Sequence, residues 1–142
     1  MKLPTRARDL PGRISTGAFI LHAGLGKWSA DEASVQGLHA MASAAFPILR
    51  RIPPVRFGRL LAAGEIATGA ALLTPLVPAG LAGGALTIFS GSLVAMYLRT
   101  PAMHKPGSVW PSPAGIGVSK DVWMLGIGLG LLVGAATERR SG

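Results

Sequence analysis

Four long apolar runs, each close to the length of a bilayer crossing, constrain this chain more than any other feature. They lie at about residues 11–28, 57–76, 79–98 and 120–136. A hydrocarbon core about 30 Å thick is spanned by about 17–25 helical residues. Lipid offers no partner for backbone N–H and C=O groups, so an open chain crosses it as helix. The expected fold is all-α, a polytopic integral membrane bundle of four transmembrane helices. A fifth, shorter apolar stretch at 33–49 is expected to insert as a short helix or as a further crossing. Only 14% of the residues are charged, against about 25% in soluble domains. So few charges leave too little polar surface for a globule in water, and the 142 residues are read as one membrane domain.

The gaps carry the punctuation. Pro75 and Pro78 stop one run and start the next within an uncharged turn, which makes 57–76 and 79–98 an antiparallel hairpin. Residues 99–119 hold Pro101, Pro106, Pro111 and Pro113, so this stretch is a loop at the membrane surface. Trp28, Tyr97, Trp110 and Trp123 are expected at the headgroup level. The N-terminal segment has the basic start and apolar stretch of a signal peptide. No small-x-small cleavage site follows it, so it reads as an uncleaved first helix.

Formal charge is +8, from 14 Lys and Arg against 6 Asp and Glu. The basic residues fall between the apolar runs and form no stripe interleaved with aromatics, which argues against a nucleic-acid partner. They bear instead on orientation. Four crossings with the N-terminus inside leave 6 of them inside (Lys2, Arg6, Arg8, Arg13, Arg139, Arg140) and 8 outside, against the positive-inside rule; reversing the chain gives 8 inside. If 33–49 also crosses, Arg50, Arg51, Arg56, Arg59, Arg99, Lys105 and Lys120 join the first four, giving 11 inside and 3 outside. The tally therefore favours deep insertion of 33–49, as a re-entrant helix or a fifth crossing.

Helix association in lipid depends on close backbone packing. Gly83 and Gly91 in the third run, and Gly126, Gly130 and Gly134 in the fourth, recur at helical spacing and are the candidate packing faces. They serve either an intramolecular bundle or the docking of a partner subunit or a second copy.

Intramembrane charges are costly and mark function or registry. Glu65 stands midway along the second run and is the one candidate catalytic residue. Its candidate partners are Lys27, Arg59 and Lys120, and with His22 an intramembrane polar cluster of His22, Lys27, Glu65 and Lys120 is expected. Such a carboxylate either fixes how two helices meet or faces a proton path or a quinone. Bis-histidine haem would require His39 to face His22. No cysteine is present, so thiol chemistry by the chain itself is excluded. No catalytic triad, paired carboxylates or metal-binding motif occurs, and Gly115 to Lys120 lacks the spacing of a phosphate loop. The chain reads as non-catalytic or, if active, as part of an oxidoreductase complex, with no metal site and with quinone the cofactor that fits best.

Several motifs in order resemble the DoxX-like family of small bacterial membrane proteins. They are Arg13 with Gly17-Ala18-Phe19-Ile20, then Gly24-x-Gly26-Lys27-Trp28, a short apolar stretch ending at Pro47, Gly64-Glu65-Ile66-x-x-Gly69, and Lys120-Asp121-x-Trp123. The resemblance covers about Arg13 to Ala136. It implies a four-helix protein of the bacterial plasma membrane, an accessory subunit of a respiratory, redox or envelope complex. A quinone-interacting oxidoreductase component is the alternative it implies; a small transporter-like bundle with Glu65 in a polar path is a further alternative, read from the residues and not from the resemblance. The long proline-rich loop at 99–119 departs from the family pattern.

Overall fold

The computed structural model describes residues 4–141, so Lys2 lies outside the described residues. Those residues fold into helices α1 (Leu10–Trp28), α2 (Glu32–Ala45), α3 (Pro54–Leu73), α4 (Ala79–Arg99), α5 (Ile116–Ser119) and α6 (Asp121–Ser141). They contain no strand, only an isolated bridge between His104 and Pro111. Prolines set several boundaries. Pro11 and Pro54 open α1 and α3, where a missing N–H costs nothing, and Thr74-Pro75 closes α3. Pro47 ends the run at 33–49 early. The residue before a proline is pushed out of helical geometry, and Phe46 adopts φ −126 and ψ 87 there. A short 3-10 turn, Pro47–Arg51, follows.

Two tightly packed antiparallel pairs make up the body. In the first, Gly17 of α1 faces Gly69 and Leu72 of α3, and seven residues later Gly24 faces Glu65 and Ile66. In the second, Gly83 of α4 faces Gly128 and Leu131 of α6, while Gly91 faces Leu125. A Cβ at Gly69 or Gly83 would stand 2.6 Å from the neighbouring helix, so only glycine permits these approaches. The pairs meet through Ile20, Leu72, Ala82, Leu86 and Leu131. A second cluster, Ala42, Ala45, Met96, Tyr97 and Met103, lies under α2.

The pairing corrects one expectation. Because α1 and α3 are antiparallel, the segment between them leaves and returns at the same end of the bundle. The 14 residues of α2 rise about 21 Å at 1.5 Å each, and α2 does not run from one end of the bundle to the other. The expectation of a further crossing rests on counting charges, which weighs the ends of a segment and not its packing.

The proline-rich segment is ordered. Lys105 N donates to Trp110 O at 2.9 Å, Ser112 N to Met103 O at 3.0 Å, and Tyr97 Oη to Val109 O at 2.7 Å. Gly107 supplies the positive φ of 66° that the turn requires. Gly115 lies so close to the Met103 carbonyl that any side chain would collide with it.

Two helical stretches, Ala79–Arg99 and Ile116–Arg140, are long and apolar enough to cross a membrane. α1 and α3 have comparable lengths of 19 and 20 residues. They carry Arg13 and Lys27, and Arg56, Arg59 and Glu65, which interrupt their apolar stretches, and neither is apolar enough over its length to count with those two.

Candidate functional site

Glu65 is the most deeply buried carboxylate among the described residues, 3% exposed at the middle of α3. The sequence places a partner on it through glycine. At Gly24 the α1 backbone presses onto Glu65 and Ile66, where a Cβ would meet Glu65 Cβ at 2.9 Å. Three residues on, about one helical turn, Lys27 reaches back. Its Nζ donates to Glu65 Oε1 at 3.0 Å. Glu65 Oε2 is buried and has no partner among the described residues. Asp121, 8% exposed at the start of α6, lies within electrostatic range of both Glu65 and Lys27. The ion pair itself joins α1 and α3.

A cavity of about 530 Å³ opens from this pair. Leu38, Met41 and Ala42 of α2 form one wall, Phe57 and Leu61 of α3 another, and Leu93 and Met96 of α4 a third. Lys27 and Glu65 are its charged lining residues. Its rim holds Met41, Ile48 and Ser92, all exposed. His39 helps to set the α2 wall. Its Nε2 donates to the Leu49 carbonyl at 3.0 Å, and its ring meets Phe57 edge-on at 5.4 Å. Arg99 holds the other side of this corner, donating to Ala45 O at 3.3 Å with its guanidinium 5.0 Å from the Phe46 ring.

Of the four residues expected to form a polar cluster, only Lys27 and Glu65 come together. His22 is exposed on the outer side of α1, with no hydrogen bond to the described residues. It cannot face His39, which is engaged with Leu49. Lys120 is also exposed. A step of one residue turns a helix by about 100°, and Asp121 points inward in its place. Arg59 stacks 5.8 Å from the Trp28 ring and leaves Glu65 to Lys27.

The glycine faces require a similar correction. Gly83 is at the α4–α6 contact, but Gly126 and Gly130 have nothing within 4 Å of where a side chain would start. Gly134 lies beside the Arg8 guanidinium. The glycine that meets α4 is Gly128, against Thr87 and Gly83. Glycines two residues apart point to opposite sides of a helix, so 126-128-130 presents both faces and spacing cannot choose between them.

Arg13 is the polar residue that sequence reasoning underused. It is 1% exposed, and its guanidinium donates to the carbonyls of Leu72 (2.8 Å), Ala71 (2.9 Å), Thr74 (2.8 Å) and Val77 (3.0 Å). Ala71 and Leu72 are among the last carbonyls of α3, which a helix end leaves open, and Thr74 and Val77 belong to the turn that follows. Five N–H donors in a planar fork suit four converging carbonyls. Backbone acceptors 58–64 residues away leave no trace in the sequence.

No family model, curated protein or solved structure matches this chain. The site is interpreted on its own chemistry.

Proposed function

We propose that this chain is a four-crossing integral membrane protein of the bacterial plasma membrane, acting as an accessory subunit of a membrane redox or envelope complex. The observation that carries the reading is an inverted distribution of polarity. Arg13, Glu65 and Asp121 are buried. Meanwhile Phe19 (65% exposed), Leu60 (64%), Leu81 (70%), Ile88 (75%) and Val133 (62%) cover the outside of the four long helices. In water the free energy of burial favours the opposite arrangement, and apolar exposure on this scale marks contact with lipid or protein.

The reading accounts for α1 and α3 as well. Their intramembrane charges need not meet lipid, because Arg13 is spent on α3 carbonyls and Lys27 on Glu65. Helices of 19–21 residues are about 30 Å long, matching the hydrocarbon core. Both termini then share one face of the membrane. The opposite face holds α2, the proline-rich loop and eight basic residues, which favours placing that face inside.

The accessory role rests on the absence of catalytic motifs in the sequence and on the resemblance to DoxX-like proteins. The outward Gly126 and Gly130 of α6 support it by leaving a backbone face open to a neighbouring helix. Fractionation followed by copurification in mild detergent tests the proposal. The chain should leave the membrane only with detergent and should carry other membrane polypeptides with it. A chain that stays monodisperse in a detergent-free supernatant would overturn the reading.

A further inference from the structure

Two buried polar atoms among the described residues lack a partner, Glu65 Oε2 and Thr87 Oγ1. Their surroundings differ. Thr87 is pressed against Gly128, with no room for a further group. Glu65 lines a cavity of about 530 Å³ whose other walls are almost entirely apolar. Small-molecule sites usually measure about 300–1,000 Å³, mostly apolar with a few placed polar groups. Leaving a buried acceptor unpaired is costly, more so when it is charged.

We infer that this cavity binds a neutral lipophile with a hydroxyl head, such as a long-chain alkylphenol. The inference rests on the lipid-embedded reading above, since the rim at Met41, Ile48 and Ser92 is where the cavity opens to the surroundings. In its ion pair Glu65 can only accept hydrogen bonds, and Oε2 is unused. Lys27 has three N–H donors and commits one to Oε1. A hydroxyl both donates and accepts, so one oxygen beside the pair can take a second N–H of Lys27 and, with a small turn of the buried Glu65 carboxylate toward the cavity, donate to Oε2. A ligand with acceptors only, such as an oxidised quinone, would satisfy Lys27 and leave Oε2 unpaired. An anionic head would face the Glu65 carboxylate, and a cationic head would face Lys27. The apolar walls suit an alkyl or aryl body. No bond is made or broken.

The test compares 4-nonylphenol with its methyl ether, 4-nonylanisole. The full chain is held in lauryldimethylamine-oxide micelles, whose heads supply no hydroxyl, and ligand-dependent thermal unfolding is recorded. The phenol should bind about tenfold more tightly than the ether, the worth of one hydrogen bond to a charged group. Glu65→Leu should reduce that preference to near unity, and Glu65→Gln should weaken it while keeping the shape of the side chain. Ser92→Trp, at an exposed rim position outside the core, should weaken both ligands in a folded protein. Equal binding of phenol and ether by the wild type, or an unchanged preference in Glu65→Gln, would overturn the inference. So would a phospholipid held tightly after extraction that the phenol does not displace. Failure of the membrane reading would be seen separately, as recovery of the chain without detergent.

Discussion

At the scale of single residues, two side chains do what the sequence only hinted at. Arg13 closes the C-terminal end of α3 by donating to four carbonyls from a fully buried position. Lysine keeps the charge but offers no planar fork. Arg13→Lys should therefore cost about 2–4 kcal/mol, from one or two buried carbonyls left unpaired at about 1–3 kcal/mol each. Denaturant unfolding in micelles checks this, and Arg13→Ala should cost no less. Asp31 acts at the opposite end of the bundle, accepting from Ser34 N at 2.8 Å as the N-cap of α2. The Ser34 amide holds its carboxyl below the usual carboxylate range. A lowered folded value means that the cap contributes fully above the unfolded value, about 3.9. Its contribution is lost as pH falls through the lower folded value. Amide exchange in the first turn of α2 should thus rise at acid pH before that of α3 or α4. Asp31→Asn should remove this pH dependence and keep the cap. Charge alone narrows the partners of Glu65 to Lys27, Arg59 and Lys120, and only the packing of α1 on α3 selects Lys27. The role of Arg13 is not legible in the sequence, because backbone carbonyls have no residue type.

At the scale of elements, apolar length and proline position located every long helix. The bounds differed where local chemistry intervened. α3 begins three residues before the apolar run, since Pro54 is suited to a first turn, and it stops at Leu73, ahead of Pro75. Which face of a helix packs was harder to read. The fourth run holds glycines at 126, 128, 130 and 134, and only the partner helix decides which of them is covered. The structure selects Gly128. Gly128→Ala would place a methyl group 2.6 Å from Thr87 Oγ1, so α4 and α6 must separate, at a cost of about 1–3 kcal/mol. Gly126→Ala and Gly130→Ala meet open space and should be neutral or stabilising by up to about 1 kcal/mol, the helix-propensity gain. Thermal unfolding of the three variants separates the faces. If Gly126 and Gly130 form the docking face of the proposed complex, bulky residues there should abolish copurification and leave unfolding unchanged.

At the scale of the whole molecule, the arrangement is one of buried charge inside an apolar coat. Two helix pairs, α1–α3 and α4–α6, each close on glycine, and the Glu65 site sits where they meet α2. Composition announced the coat. It did not reveal that Arg13, Glu65 and Asp121 would all turn inward, nor that the 33–49 segment would stay at one end. Both depend on how α1 lies on α3, a long-range relation that no window of sequence contains. The chain has no native cysteine, so introduced cysteines report topology without background. Ser34→Cys, Leu76→Cys and Lys105→Cys, in separate variants, can be labelled with a membrane-impermeant maleimide in sealed, right-side-out vesicles. Four crossings with α2 at one end predict that positions 34 and 105 share a face and that 76 reacts from the other. Equal reaction of all three without lysis, or 34 grouping with 76 against 105, would contradict the account.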